Sequence, residues 1–321
     1  MNKLKPAAPY IIVALILMGV SVFLPVTKPV SSIRAEHLFN LGPLSVTNAL
    51  LTTWIVTLLI ILLFSFGTRK MNLQPSGLQN FLEFCVEGLY NLTESVSGPK
   101  WVSKFFAVPA TIFIFVLAAN LFGLFIGIPL VGFGLCEGGH EAAQVETANA
   151  ESQSEAATAQ ANRFGFTCEL GQHIVPFFRA PSADLNFTFA LAVITQVLAQ
   201  VFGFMALGVG YLGKFFVFDK IRSAKSVGDF ALGLIDVFVG LLELLSEFVK
   251  VIAYTFRLFG NIFAGEVMLL VIAFLVPLIA VTPLIGFEIF VAFIQAFVFY
   301  ILSVAFYTVA VTGHGDHEEA H

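Results

Sequence analysis

Five polar side chains stand in the last third of an otherwise apolar chain at spacings suited to handling a proton: Arg257, Asn261, Glu266, Glu288 and Gln295. Arginine keeps its charge at any accessible pH, so Arg257 can attract an anion and repel cations but cannot pass a proton on. A desolvated carboxyl can exist in either protonation state near neutrality, which suits Glu266 and Glu288 to relaying protons. On a helix, Lys250 and Arg257 are seven residues apart and share a face, and Asn261 lies one turn beyond Arg257. Glu266, nine residues from Arg257, points the opposite way and is a poor counter-ion for it. Glu288 and Gln295, again seven apart, form a second polar line on the last helix. A proton path with an unyielding cation between its halves works as a valve. The same charges also allow a plain Arg257–Glu288 salt bridge holding two helices together, and residue chemistry alone leaves both readings open.

The elements that carry these residues belong in a membrane. The chain has 321 residues, 58% hydrophobic and 12% charged, where a soluble domain is about 45–50% apolar and about 25% charged. Arg257 is the last basic residue, and an arginine at mid-bilayer costs roughly 2.5–3.5 kcal/mol on insertion scales, so the fold has to hold it against something. The 37 phenylalanines supply lipid-facing and packing surface. The net charge of −5 is modest and says nothing about nucleic acid, but no basic patch is present to bind it, and Cys85, Cys136 and Cys168 match no metal-ligand spacing.

Residues 9–26 form an apolar run behind Lys3 and Lys5, read as an uncleaved first span rather than a signal peptide. Residues 48–66 are a clear span, followed at once by Arg69 and Lys70. Over 78–96, Leu78, Phe81, Leu82, Cys85, Leu89 and Leu92 recur at three-to-four spacing while Glu83, Glu87, Asn91 and Glu94 fall elsewhere; the pattern predicts an interfacial amphipathic helix, docked on lipid or on a partner subunit. Residues 105–133 are apolar again, interrupted by Pro109 and Asn120, and an isolated Asn in a span also serves as an ordinary helix–helix hydrogen bond. From Cys136 to Gly171 the composition turns polar and acidic, which predicts a poorly ordered loop. Arg179-Ala-Pro-Ser-Ala-Asp184-Leu-Asn186 leads into a span at 185–213 and reads as an interfacial cap. Residues 227–280 keep a helical pattern for about 80 Å at 1.5 Å per residue, too long to stand upright in a bilayer, so this element must break or tilt. Its first half carries Asp236, Glu243, Glu247 and Lys250 and so is not a lipid-exposed span. A last helix covers 284–311, and the His-rich tail 313–321 reads as a solvated end.

The predicted fold is therefore all-α and integral to the membrane, with about six membrane helices, the last two forming a long tilted hairpin, plus one interfacial helix. Its segments are 1–30 (membrane anchor or signal segment), 31–135, the acidic insert 136–171, the channel helices 172–312 and the tail 313–321. Three basic sets, Lys3/Lys5, Arg69/Lys70/Lys100/Lys104 and Lys214/Lys220/Arg222/Lys225, fall on alternate loops, which puts both termini in the cytoplasm and the insert outside. Cys136 and Cys168 then bracket a loop in a compartment that permits a disulfide, though sequence cannot bring the two sulfurs together.

Arg257-Leu-Phe-Gly-Asn261-x-x-Ala-Gly-Glu266 resembles the signature of subunit a of F-type ATP synthases. Further blocks in family order extend the resemblance over nearly the whole chain: Asn48-Ala-Leu-Leu-Thr-Thr-Trp54, Pro75 to Asn91, Asn120-Leu-Phe-Gly, Pro181-Ser-Ala-Asp184-Leu-Asn186 and Gln295-Ala-Phe-Val-Phe. The resemblance implies a stator channel beside a rotating c-ring. Arg257 would face the c-ring carboxylate. Asn261, Glu266, Glu288 and Gln295 would line two aqueous half-channels, and Asn120, Asp184 and Asn186 would lie near the external mouth. The 9–26 span and the polar 136–171 insert depart from shorter bacterial members. The implied partners are the c-ring, the subunit b peripheral stalk, the other synthase subunits and the lipid of an energy-coupling membrane, most simply a bacterial inner membrane. No cofactor is implied, and no GxxxxGK[ST] pattern is present, so nucleotide chemistry would belong to partner subunits. Two competing readings are a secondary transporter, which calls for paired broken helices in internal repeats, and a non-transporting scaffold, which would tolerate a neutral residue at 257.

Overall fold

A computed structural model describes residues 35–41, 44–69, 71–72, 77–127, 134–138, 172–215, 227–275 and 280–312. Within them, a hairpin of β1 (His37–Leu41) and β2 (Leu44–Thr47) leads directly into α1 (Asn48–Gly67). Then come α2 (Leu78–Ser97), the single turn α3 (Val102–Phe105), and α4 (Ala107–Phe122) continued by a π-helical turn at Gly123–Gly127. Strands β3 (Gly134–Gly138) and β4 (Gln172–Pro176) pair antiparallel, with Gly134 opposite Pro176 and Gly138 opposite Gln172. A 3₁₀ turn at Pro181–Ala183 precedes α5 (Leu185–Leu207), which a second 3₁₀ segment, Gly208–Lys214, follows. The two last helices are α6 (Val227–Leu275) and α7 (Val281–Val311).

The protein is a mostly helical, multi-pass membrane protein. Four helices among the described residues are long and apolar enough to cross a bilayer: α1, α4 with its π turn, α5 and α7. The 49-residue α6 is longer than all of them. It runs unbroken over about 74 Å at 1.5 Å per residue, so of the two options left by the sequence pattern the break is not taken. The expected 9–26 span and the 313–321 tail lie outside the described residues, as does most of the 136–171 insert.

Three local expectations are corrected. Pro109 does not interrupt its helix but sits in the first turn of α4, where a missing N–H leaves no bond unmade. The run from 105 begins instead with a break at Phe106, between α3 and α4. The two hairpins were not foreseen, because each strand is only four or five residues long. In α2 the buried face comprises Gln79, Leu82, Leu89 and Thr93, while Leu78, Phe81 and Phe84 stay exposed. Polar bonds decide this: Gln79 binds the Asn72 backbone and Glu83, and Thr93 meets the Tyr300 hydroxyl.

The chain divides into two compact units, and every long membrane helix except α5 contributes to both. The first comprises residues up to Leu59, Leu117–Asp184 and Phe259–Ile294. Here Thr47 caps α1 by accepting the Leu50 N–H at 3.3 Å on its Oγ1, while Asn48 accepts the Ala49 N–H at 2.8 Å and donates its backbone N–H to Glu36 O. Segment 178–180 lies against the π turn: Phe178 is edge-on to Phe122 at 5.8 Å, and a Cβ on Gly123 would stand 2.9 Å from Ala180 Cα.

The second unit comprises Ile60–Val116, Leu185–Leu258 and the chain from Gln295. Its core is aromatic, with Phe105, Phe202 and Tyr307 in mutual ring contact at 4.9–5.6 Å over Ala199 and Ala310. The Tyr300 hydroxyl also donates to Leu89 O at 2.6 Å, tying α2 to α7.

Candidate functional site

In the first unit, Glu266 and Glu288 come from α6 and α7. The Glu288 carboxylate lodges directly on Gly265, so tightly that any Cβ there would overlap it. Glu288 is 6% exposed. Burying a carboxylate is tolerable only where protons or polar partners reach it, and the absent side chain at 265 supplies the room.

Glu266, one residue on, accepts a hydrogen bond on Oε2 from Arg179 Nε at 3.2 Å. Arg179 is itself 6% exposed. Its backbone N–H donates to Thr52 Oγ1 of α1 at 3.2 Å, and its guanidinium lies 5.9 Å from the Phe263 ring. The Arg179 stretch, a simple cap by its sequence pattern, is instead a tertiary contact with α1 and α6. What could have exposed it is that Arg179 is one of only two arginines, with Arg163, on a loop the charge bias assigns to the exterior, where basic residues are scarcer.

Of the residues expected at the external mouth, Asn120 is buried in α4 at 3% exposure, and neither amide atom has a hydrogen-bond partner among the described residues. Asp184 is half-buried just before α5, in this unit. Asn186 is exposed on the first turn of α5, in the other unit.

In the second unit Arg257 is exposed, on a stripe of α6 that also exposes Val249, Ile252 and Phe256. Among the described residues it enters no ion pair. Its neighbour Tyr254 faces the other way, packing on Phe299 and Phe306 of α7. Asn261, a turn further along α6 and in the first unit, is exposed as well. Gln295 on α7 is buried at 3%. The Cys136–Cys168 pairing cannot be followed, because Cys168 lies outside the described residues.

A polar cluster that the sequence reading missed joins α5 to α6. Glu247 accepts from Lys250 Nζ at 2.8 Å, from Gln200 Nε2 at 3.0 Å and from Gln196. The Tyr211 hydroxyl donates to Gln200 Oε1 at 2.7 Å, its ring filling the space that Gly203 leaves open. Burial, followed by the charges of Glu247 and Glu243, pushes the Tyr211 phenol up to about 12, so it stays a donor. Gln196 and Gln200 escaped notice because two amides barely dent the apolar run of α5.

Residues 50–308 match the protein family described as ATP synthase A chain. Similar proteins include ATP synthase subunit a of Gloeobacter violaceus, 32% identical over 284 residues, spanning 88% of this chain and 92% of the relative. The subunit a of Moorella thermoacetica is 27% identical over 283 residues, 88% of this chain and 99% of the relative. That of Trichlorobacter lovleyi is 27% identical over 290 residues, 90% and 95% respectively.

Proposed function

This chain belongs to the ATP synthase A chain family, and on that premise we propose that it forms two proton half-channels beside a c-ring, with Arg257 as the barrier between them. The coarser role, a proton-translocating stator subunit of the membrane sector, follows from family membership itself. The observation that carries the finer reading is the exposure of Arg257 within an apolar stripe of α6. Facing lipid, such a cation would be costly; facing an ionised carboxylate on a partner, it is stabilised. An internal Arg257–Glu288 bridge, the bland alternative, draws no support from an arginine outside every ion pair among the described residues.

In this mechanism protons enter from outside past Asp184, Asn186 and Asn120, pass Glu266 and Glu288, and neutralise a c-ring carboxylate. The neutral site turns into lipid and, after most of a revolution, discharges through the second half-channel, with Asn261 and Gln295 as lining amides. Arg257 holds the returning carboxylate ionised and blocks direct leakage between the two paths. Each charge crossing the membrane delivers about 2.3 kcal/mol per 100 mV. The c-ring, the subunit b stalk and the rest of the synthase are the partners, in a bacterial inner membrane with both termini cytoplasmic.

The test is ATP-driven proton pumping in inverted vesicles carrying Arg257→Ala, with assembly checked by co-purified c-ring. Pumping should vanish while the complex still assembles. Pumping near the wild-type level would reduce Arg257 to a structural residue and end this reading.

A further inference from the structure

Of the arginines described, Arg179 alone is buried; Arg69 and Arg257 are exposed. Its surroundings are built rather than incidental. On its N-terminal side, the Phe178 carbonyl oxygen lies 3.1 Å from where a Gly127 Cβ would stand, and the Phe178 ring meets Phe122. On its C-terminal side, Ala180 fills the gap left by Gly123. Its own N–H is held by Thr52, whose hydroxyl donates on to Asn48 O at 2.9 Å. With the backbone clamped by α1 and the π turn, the side chain crosses to α6. There Nε bonds Glu266 and the guanidinium borders Phe263, nearly one turn earlier.

An exposed ion pair between long side chains is loose and contributes little. Here the cation is buried with its backbone immobilised and the carboxylate is partly exposed, so the fixed partner sets the orientation of the other. Among the described residues, the charged groups that act on Glu266 are Arg179 and Glu36, from the segment before β1; Glu288 of α7 lodges on Gly265, the preceding residue of α6. Arg179 is the only cation among them.

We propose that Arg179 is a positioning residue for Glu266: it holds that carboxylate in one orientation beside Glu288, so that protons from the external side are handed along a fixed path. This rests on the channel reading above, in which Glu266 and Glu288 belong to the external half-channel, and it adds a residue that acts only through Glu266.

The test measures ATP-driven pumping by the whole synthase in inverted vesicles over a range of lumenal pH, with co-purified c-ring as the assembly check. Arg179→Gln should assemble, pump about tenfold less at neutral pH, and move the pH midpoint upward by about one to three units, the usual influence of an adjacent arginine on a carboxyl group. Arg179→Lys, which keeps the cation, should retain the wild-type midpoint. In a Glu266→Gln background, adding Arg179→Gln should leave the midpoint where it was.

An unshifted midpoint in Arg179→Gln, an equal shift in the Glu266→Gln background, or an equal shift in Arg179→Lys would overturn the proposal. Should Arg179→Gln fail to assemble, Arg179→Lys and the Arg179→Gln/Glu266→Gln double variant, which leaves no charge orphaned, decide by the same criteria. The two readings fail separately. Pumping that survives Arg257→Ala defeats the channel mechanism, whereas pumping lost in Arg257→Ala with no midpoint response at Arg179 defeats only the positioning role.

Discussion

Arg257 and Glu288 show why charged residues in this chain are informative one by one. Each is conspicuous in an apolar run, yet one is exposed and the other sits in a hole shaped by a missing side chain. Exposure of Arg257 asks for an anion from outside the chain; burial of Glu288 asks for access by protons. Gly265→Ala should displace the Glu288 carboxylate and lower proton pumping at least about tenfold, as misplacement of an acid–base group by an ångström commonly does, while c-ring co-purification persists. A Gly265→Ala variant pumping normally would show that the lodging of Glu288 is incidental. Arg257, Glu266, Glu288 and Gln295 were legible in the sequence because polarity stands out against hydropathy. Arg179 was not, since its partner is 87 residues away and a residue beside a span is indistinguishable from a cap until the tertiary contact is seen.

At the scale of the element, hydropathy located the four spans among the described residues, with ends off by up to six residues, because a bilayer demands about 20 apolar positions in succession. It could not say which face of α2 turns inward. That choice belongs to hydrogen bonds with α7: Tyr300 donates to Leu89 O and meets Thr93. Tyr300→Phe should destabilise the detergent-solubilised complex by about 1 kcal/mol, the typical loss of one hydrogen bond, read as a lower melting temperature with pumping retained. An unchanged melting temperature would mean that apolar contacts alone dock α2. The α5–α6 cluster is more demanding. Glu247→Ala leaves the half-buried Lys250 without its carboxylate and should cost about 1–2 kcal/mol, between the values for exposed and buried pairs, whereas Glu247→Ala/Lys250→Ala should recover part of it. Equal destabilisation in both variants would show that packing, not charge, ties these helices.

Over the molecule as a whole, alternating basic loops give an orientation that can be checked directly. A single reactive cysteine at His317→Cys, in an otherwise cysteine-free chain, should label with an impermeant maleimide in inverted but not right-side-out vesicles; the reverse pattern would refute cytoplasmic placement of the C-terminus. The β3–β4 ladder bears on a different property. Gly138 stands opposite Gln172, so the ends of the 33 residues between them are already held together. In polymer terms the ring is closed by the strands, and its contour length is nearly free to vary: doubling a flexible loop adds only about 0.6 kcal/mol of closure entropy. A cross-link between Cys136 and Cys168 would close almost the same ring a second time and so confine the unfolded chain rather than shape the folded one. The insert is in this sense a tolerant site, where length can be lost or gained without the helices registering it. Exchanging residues 139–171 for a two-residue Asn-Gly turn should leave both assembly and pumping at the wild-type level.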